Sequence, residues 1–118
     1  MSTGEHYEKR AACLLEEAGL IVLERNFRCK TGEIDIICSD GPGLVFVEVR
    51  YRQNPRFASA AASVTLAKQR KLIRTAEYYL QRRGWLNQRP CRFDVLAFSS
   101  TRDLRADGIQ WLKSAFTM

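Results

Sequence analysis

Two apolar runs joined by a short turn constrain the fold of this chain more than any other feature. The runs are "EIDIICS" (33–39) and "LVFVEVR" (44–50), and they flank "DGPG", whose aspartate, glycine and proline residues are typical of a turn. This arrangement predicts an antiparallel β-hairpin. The second run is apolar on both faces, so we expect a central strand that is covered on both sides.

The remaining segments supply elements that would cover this hairpin. Apolar residues at helical spacing from Tyr7 to Ala18 predict a first helix, which Gly19 would end. Further segments predict, in order, a strand, a longer helix and two strands at "LIVLERNFR", "SVTLAKQRKLIRTAEYYLQRRG", "RFDVLAF" and "IQWLK". The stretches "YRQNPRFASAAAS" (51–63) and "STRDLRADG" (100–108) predict a loop and a turn. This order favours one α/β domain over residues 1–118 with a central mixed sheet.

Acidic residues interrupt both apolar runs of the hairpin. Side chains alternate along a strand, so Glu33 and Asp35 face the same way, as do Glu48 and Arg50. If the hairpin closes on its turn, Asp35 and Glu48 come close together, and both stay ionised only with a cation between them or an arginine alongside. Carboxylate oxygens suit Mg²⁺ or Mn²⁺, which can bind a phosphate, activate water and neutralise the charge on the phosphate.

A purely structural role is the alternative for these acids. Either carboxylate could pair with Arg50 or Arg52 in an internal salt bridge that serves only the fold. Asp94 is a further acid on an apolar strand, and a pairing with Arg92 or another arginine is the role expected of it.

The charge of the chain favours a polyanionic partner. Nineteen basic residues against 13 acidic ones give a net charge of +6, and arginine outnumbers lysine fourteen to five. Arginine presents a planar fork that suits phosphate oxygens, although a generic solvated basic surface would have the same composition. The segments "RYRQNPR" and "KQRK" would border the acids and could contact a phosphate backbone on either side. The candidates for these contacts are Arg52, Arg56, Lys68, Arg70 and Lys71.

Several classes of protein are disfavoured by composition. The four cysteines are far apart without a CxxC pair, and His6 is the only histidine, so neither a zinc site nor a disulfide framework is indicated. No apolar run approaches the roughly 20 residues that a membrane-spanning helix needs. The N-terminal segment has no apolar signal region, so we expect a cytoplasmic protein with no membrane partner.

The hairpin and its surroundings resemble known proteins. The pattern "GEIDII…LVFVEVR" resembles the core of the PD-(D/E)xK nuclease superfamily, whose restriction-endonuclease-like fold is a three-layer α/β/α arrangement. More narrowly, nearly the whole chain resembles the YraN family of uncharacterised proteins, which are similar to archaeal Holliday-junction resolvases. The motifs that carry this resemblance are, in order, "GEHYEKRA", "RNFRCKTGEIDII", "VFVEVRYR", "KQRKL" and "CRFDVLAF".

The resemblance implies roles for individual residues. Asp35 and Glu48 correspond to metal ligands, and Glu8 matches a glutamate that some relatives place near the metal from the first helix. Arg50 stands where the superfamily usually has lysine; arginine can stabilise developing charge but cannot deprotonate water. Gln69 could hydrogen-bond to a metal-bound water or a phosphate, or be satisfied by the local backbone. We expect the remaining acid of the hairpin, Glu33, to assist the site.

These features predict a small Mg²⁺- or Mn²⁺-dependent nuclease that hydrolyses phosphodiester bonds in DNA. The resemblance alone implies branched or junction DNA as a candidate substrate. A junction-resolving role would call for a symmetric homodimer, because a junction needs paired cuts. Arg50 favours the alternative, a non-catalytic nucleic-acid-binding module that keeps the nuclease fold. A protein-interaction adaptor with incidental basic charge is a third hypothesis.

Overall fold

The elements of the chain follow the order that the sequence predicts. The computed structural model describes residues 3–52, 64–99 and 109–118. Two helices and five strands are formed by α1 (Thr3–Glu17), β1 (Ile21–Cys29), β2 (Gly32–Asp40), β3 (Gly43–Arg52), α2 (Leu66–Arg83), β4 (Cys91–Ser99) and β5 (Ile109–Phe116). The predicted order of one helix, three strands, one helix and two strands is therefore confirmed. The predicted turn at 100–108 and residues 53–63 of the predicted loop lie outside the described residues.

The strands form one mixed sheet in which β3 is central. Their spatial order is β1-β2-β3-β4-β5. The predicted hairpin is present, because β2 and β3 pair antiparallel from Ile36 with Val47 to Asp40 with Gly43. Strands β3 and β4 pair in parallel, whereas β1–β2 and β4–β5 are antiparallel. The mixed sheet and the central position of β3 are thus confirmed.

Strand β3 is longer than its apolar pattern predicts. Tyr51 and Arg52 were expected to begin a loop, but they pair with Phe98 and Ser99 of β4. The pairing continues because a parallel neighbour offers main-chain hydrogen bonds whatever the polarity of the side chains.

The helices cover opposite faces of the sheet. Val45 and Val47 of β3 belong to a buried cluster with Leu15 of α1. Phe46, which lies between the two valines, belongs to a second cluster with Tyr79 of α2. Because successive side chains of a strand point to opposite faces, the domain has three layers, with the sheet between α1 and α2. Each fully buried side chain of this size contributes about 1.5–3 kcal/mol of burial free energy.

Both ends of α2 are capped, and the N-terminal cap determines where its first turn begins. The Thr65 side chain accepts a hydrogen bond from the Lys68 N–H at 3.2 Å, satisfying one of the donors left open at a helix start. At the other end Gly84 has φ 72°, and its N–H donates to the carbonyl groups of Leu80 and Gln81. Lys68 is therefore held in the first turn.

No described helix is both long and apolar enough to cross a membrane.

Candidate metal and nucleic-acid site

Asp35 and Glu48 come together where the hairpin of β2 and β3 opens. The last main-chain pair is Ile36 with Val47, so Asp35 and Glu48 are the next residues on their strands. At this point the Asp35 Oδ2 atom accepts a hydrogen bond from the Val49 N–H at 2.8 Å. A side-chain oxygen thus takes the position that a main-chain acceptor would have, and it fixes the Asp35 carboxylate against β3.

The surroundings of Asp35 disfavour its ionised form. Burial raises the pKa of Asp35 to about 7, and a hydrogen bond to Glu48 and repulsion by its charge act in the same direction. The Val49 N–H and a hydrogen bond with Glu8 oppose this shift. Near neutral pH, the Asp35 carboxyl group is therefore close to the midpoint of its ionisation, and a cation beside it would favour the ionised form.

Glu48 carries a buried oxygen that lacks a hydrogen bond. The residue is only 8% exposed. Its Oε2 atom has no hydrogen-bond partner among the residues that the structure describes. The Lys68 Nζ atom lies 3.8 Å away, which is an ion pair but is too long for a hydrogen bond. A buried charged oxygen without a donor is costly, so this atom is well placed to accept a ligand.

Glu8 extends the acidic site from the other layer. It lies on α1, and burial together with a hydrogen bond and charge repulsion from Asp35 raises its pKa. Asn26 holds it from β1: with the amide nitrogen turned toward the carboxylate, it donates to Oε1 at 2.9 Å and to Oε2 at 3.1 Å. No sequence pattern selects Asn26, although its left-handed φ of 55° is a conformation that asparagine tolerates well.

We call Glu8, Asp35 and Glu48 the row of acids, because Asp35 interacts with both Glu8 and Glu48. Over residues 3–52, 64–99 and 109–118, no three His, Cys, Asp or Glu side chains are grouped so as to hold a metal ion. Asp35 and Glu48, which follow the last main-chain pair of the hairpin, are the two residues that we consider as a pair for one ion. Such a pair fits Mg²⁺, which is usually bound by one or two carboxylates and completes its shell with water and substrate oxygens.

Other predicted site residues have contacts of a different kind. Glu33 pairs with Arg28 at 2.9 Å on the exposed surface rather than with the row of acids. The Gln69 Nε2 atom donates to the Val64 carbonyl oxygen at 3.1 Å, which is the local backbone bond considered as its alternative. Arg50 is half-buried on β3, two residues after Glu48, and so faces the same side of the sheet.

Three of the five predicted phosphate contacts lie in the first turns of α2. Lys68 lies beside Glu48, whereas Arg70 and Lys71 are exposed to solvent. The side chain of Arg52 and the whole of Arg56 lie outside the described residues. Sequence reasoning treated Lys68 as a phosphate contact and missed its proximity to Glu48, which depends on how α2 packs.

Asp94 is fully buried and satisfied by neighbouring groups. Its carboxylate accepts hydrogen bonds from Arg92 Nε at 3.1 Å, Trp111 Nε1 at 3.0 Å and the Ser114 N–H at 2.9 Å. Arg92 also pairs with Asp40 at 2.9 Å. The predicted pairing of Asp94 with Arg92 is confirmed, and the network links β4 to the edge strand β5.

Comparisons with known proteins agree on one family. The sequence model of the uncharacterised protein family UPF0102 matches residues 7–98. A UPF0102 protein of Nitrosococcus oceani is 48% identical over 113 residues, covering 96% of this chain and 90% of that protein. A UPF0102 protein of Methylobacillus flagellatus is 48% identical over 114 residues, covering 97% of this chain and 96% of that protein. One from a Janthinobacterium species is 49% identical over 112 residues, covering 95% and 85% respectively.

Proposed function

Because the chain belongs to the uncharacterised protein family UPF0102, we propose a function from the geometry of its own site. The protein is a metal-dependent nuclease of the restriction-endonuclease-like fold that hydrolyses phosphodiester bonds in DNA. The observation that carries this proposal is the pair formed by Asp35 and Glu48, in which Asp35 is half-buried and Glu48 is buried with one oxygen that lacks a hydrogen bond. Burial and Glu48 raise the pKa of Asp35 to about 7, and Glu48 Oε2 has no hydrogen bond from the described residues.

A divalent cation is the ligand that best suits this pair. It would relieve the repulsion between the carboxylates and occupy the lone pairs of Glu48 Oε2. Mg²⁺ or Mn²⁺ bound there would acidify a water molecule and neutralise charge on the attacked phosphate. Glu8 does not need to be a direct ligand, because its position beside Asp35 lets it accept a hydrogen bond from a metal-bound water.

Two basic residues divide the tasks of the usual lysine. Arg50 faces the same side as Glu48, and its guanidinium can stabilise charge that develops on the phosphate. It cannot act as a base, because arginine stays protonated. Lys68 presents an ammonium group 3.8 Å from Glu48 Oε2. It can therefore donate hydrogen bonds to a water or a phosphate bound at this pair and balance negative charge there.

A charged groove for DNA would border the carboxylates. Lys68, Arg70 and Lys71 lie on the first turns of α2, at the end of the helix that approaches Glu48. Phosphate contacts of this type position a backbone without reading its sequence. A substrate of branched or junction DNA would further require two copies of the site in a symmetric homodimer.

A cleavage experiment tests the proposal. A labelled panel of linear, nicked, flapped and four-way DNA, with RNA alongside, is incubated with Mg²⁺, Mn²⁺ or EDTA. We expect cleavage by the wild type only with metal, and its loss in Asp35→Asn and Glu48→Gln. Glu77→Gln, which removes an exposed acid on α2, is the matched control and should cleave like the wild type.

The result also separates the second candidate function, a non-catalytic nucleic-acid-binding module. That alternative is favoured by Arg50 at the usual lysine position and by the arrangement of the acids as a row. Salt-sensitive DNA binding without cleavage under any metal condition would support it, because phosphate contacts weaken steeply with salt. A protein that neither binds nor cleaves DNA would contradict both functions. Size measurement with junction DNA tests the dimer, and a protein that stays monomeric would exclude junction resolution.

A further inference from the structure

A stripe of polar and basic side chains runs along one flank of α2. Its residues are spaced three and four apart, so they lie above one another on the helix. The stripe borders the buried face, since Thr75 is fully buried whereas Tyr78 is 43% exposed. The five residues are Lys68, Lys71, Thr75, Tyr78 and Arg82. At about 1.5 Å per residue, the stripe extends roughly 21 Å from the first residue to the last.

The stripe begins at the carboxylates and ends in a cleft. Its first residue, Lys68, is the partner of Glu48. Its last two residues form one wall of a cavity of about 390 Å³, and the opposite wall is the turn between β1 and β2. The cavity is lined by Arg28, Cys29, Lys30, Thr31, Tyr78 and Arg82. We call this cavity the hairpin cleft.

Hydroxyl groups hold the two walls of the hairpin cleft together. The Oγ1 atoms of Thr31 and Thr75 lie 3.0 Å apart, and Thr75 donates to the Lys71 carbonyl oxygen at 2.8 Å. Gly32 allows this close approach: a Cβ atom there would lie 3.2 Å from the Thr75 hydroxyl oxygen, and its φ of 147° would strain any other residue. The relative position of turn and helix is therefore fixed by specific contacts.

The hairpin cleft carries more positive than negative charge. Arg28 pairs with Glu33 at 2.9 Å, but Lys30 and Arg82 form no ion pair with any described residue. The Arg82 guanidinium lies over the Tyr78 ring, 5.9 Å from its centroid, which keeps the charge near the cavity. Two cations from opposite walls thus line one cavity without a carboxylate partner in the part of the chain that the structure describes.

Hydrogen-bond donors around the Cys29 thiol favour negative charge in this cleft. Burial opposes ionisation, but hydrogen bonds with Thr31 and with the main chain at Thr31 and Gly32 outweigh it and lower the pKa of Cys29. The Cys29 Sγ atom lies 3.0 Å from the Thr31 hydroxyl oxygen. The same donors would serve the oxygen atoms of another anion.

We propose that the hairpin cleft is a second DNA contact, which binds backbone phosphate groups through Lys30 and Arg82. This inference rests on the proposed nuclease function, since it names the surface along which the substrate lies. DNA that runs along α2, past the buried Thr75, would extend from the carboxylates at Lys68 to the cleft at Arg82. A duplex strand rises 3.4 Å per nucleotide, so the stripe spans roughly six nucleotides.

Binding measured without metal tests this contact separately from cleavage. A short fluorescein-labelled DNA duplex is titrated in EDTA with the wild type and with the Lys30→Gln/Arg82→Gln variant. Lys9→Gln/Arg10→Gln removes the same charge from exposed positions of α1, on the other face of the sheet. We expect the cleft variant to lose at least tenfold in affinity and its salt slope to fall by about two, because each lost phosphate contact contributes about 0.9. The α1 variant should retain the wild-type salt slope and lose much less affinity.

Alkylation of the wild type gives a second measurement. Cys29 lies in the hairpin cleft, whereas Cys13 is exposed on α1 and serves as an internal reference. Bound duplex should slow iodoacetamide labelling of Cys29 severalfold and leave Cys13 unchanged. Equal labelling of Cys29 with and without bound duplex would overturn the proposal.

The outcomes for the cleft and for the nuclease can be told apart. If the cleft variant binds like the α1 variant, the cleft proposal is wrong, and metal-dependent cleavage still decides the nuclease. Both proposals are supported if two results are found together. The Asp35→Asn variant must lose cleavage but bind DNA with the wild-type salt slope, and the cleft variant must bind DNA with a reduced salt slope. A wild type that binds no duplex overturns the cleft contact, whatever its cleavage activity.

Discussion

The Lys68 ammonium group lies 3.8 Å from the Glu48 carboxylate, although β3 and α2 are separate elements of the chain. The side chain of Lys68 is 34% exposed and that of Glu48 is 9% exposed. The pair therefore lies at the border of solvent, where the lysine can reach a bound phosphate. A pair of this length and exposure contributes only about 0–1 kcal/mol to stability.

Substitution of Lys68 tests whether its charge acts on a bound phosphate. Lys68→Ala should lower single-turnover cleavage by about 10²–10³-fold, the loss typical when one donor to developing negative charge is removed. Lys68→Arg keeps the charge and its hydrogen-bond donors, so we expect it to bind DNA like the wild type and to retain most of the cleavage. Urea unfolding should show a change of no more than about 1 kcal/mol for either variant. Cleavage by Lys68→Arg as slow as that by Lys68→Ala would contradict a role for the charge.

Asp35→Asn should change how stability depends on pH. The pKa of Asp35 is raised from 3.8 to about 7 in the folded chain, so its neutral form stabilises the fold fully below pH 3.8. That stabilisation is lost as the pH rises through about 7, at a cost on the order of a few kcal/mol. Asparagine resembles the protonated acid at every pH. In EDTA, the variant should therefore be more stable than the wild type at pH 8, and this advantage should shrink toward pH 5.

Urea unfolding over this pH range gives the measurement for Asp35. Glu77→Gln is the control, since this exposed acid on α2 should follow the wild-type curve. Parallel curves for Asp35→Asn and the wild type between pH 5 and pH 8 would mean that the folded chain does not perturb the carboxyl group.

Metal binding should compete with the proton on Asp35. A carboxylate must be deprotonated to bind a cation, so the affinity for Mn²⁺ should rise as the pH passes through about 7. Mn²⁺ should raise the melting temperature of the wild type at pH 8 and have little effect at pH 5.5. Glu48→Gln should lose this response. Calorimetric titration with Mn²⁺ checks the affinity directly, and a response that is the same at both pH values would contradict a site at Asp35.

Asp94 is predicted to act in stability alone. Asp94→Ala removes the acceptor shared by Arg92, Trp111 and the Ser114 N–H. Breaking a buried pair on one side typically costs about 3–5 kcal/mol. Urea unfolding measures this loss, and Trp111→Phe, which removes a single donor, should cost about 1–3 kcal/mol. A loss below 1 kcal/mol for Asp94→Ala would mean that β5 is held mainly by its other contacts.

The hairpin was predictable because its signals are local. The turn residues at 40–43 and the alternation of Asp35 with its apolar neighbours identify two paired strands from sequence alone. The parallel partner β4 makes β3 central, which explains why Val45, Phe46 and Val47 are all buried. The local pattern was therefore enough to predict that Asp35 lies close to Glu48, since a single turn brings them together.

The rest of the site depends on packing between layers, which local patterns do not encode. Asn26 reaches Glu8 through a left-handed backbone conformation and the position of α1. Lys68 reaches Glu48 because Thr65 caps α2 at that point. Glu33 lies on the strand predicted for it, yet Arg28 on the adjacent strand pairs with it at the surface. A spacing rule gives the direction of a side chain but not the neighbour that it meets.

The local closure of the hairpin also bears on how the chain folds. Asp35 and Glu48 are thirteen residues apart in sequence, so they meet as soon as one short loop closes. Loops of this length close in well under a microsecond, whereas the parallel pairing of β3 with β4 must wait for the chain that contains α2. Repulsion between two acids is weak where water surrounds them and stronger where protein covers them. The helices that cover the sheet therefore strengthen a repulsion that would be weak in the isolated hairpin.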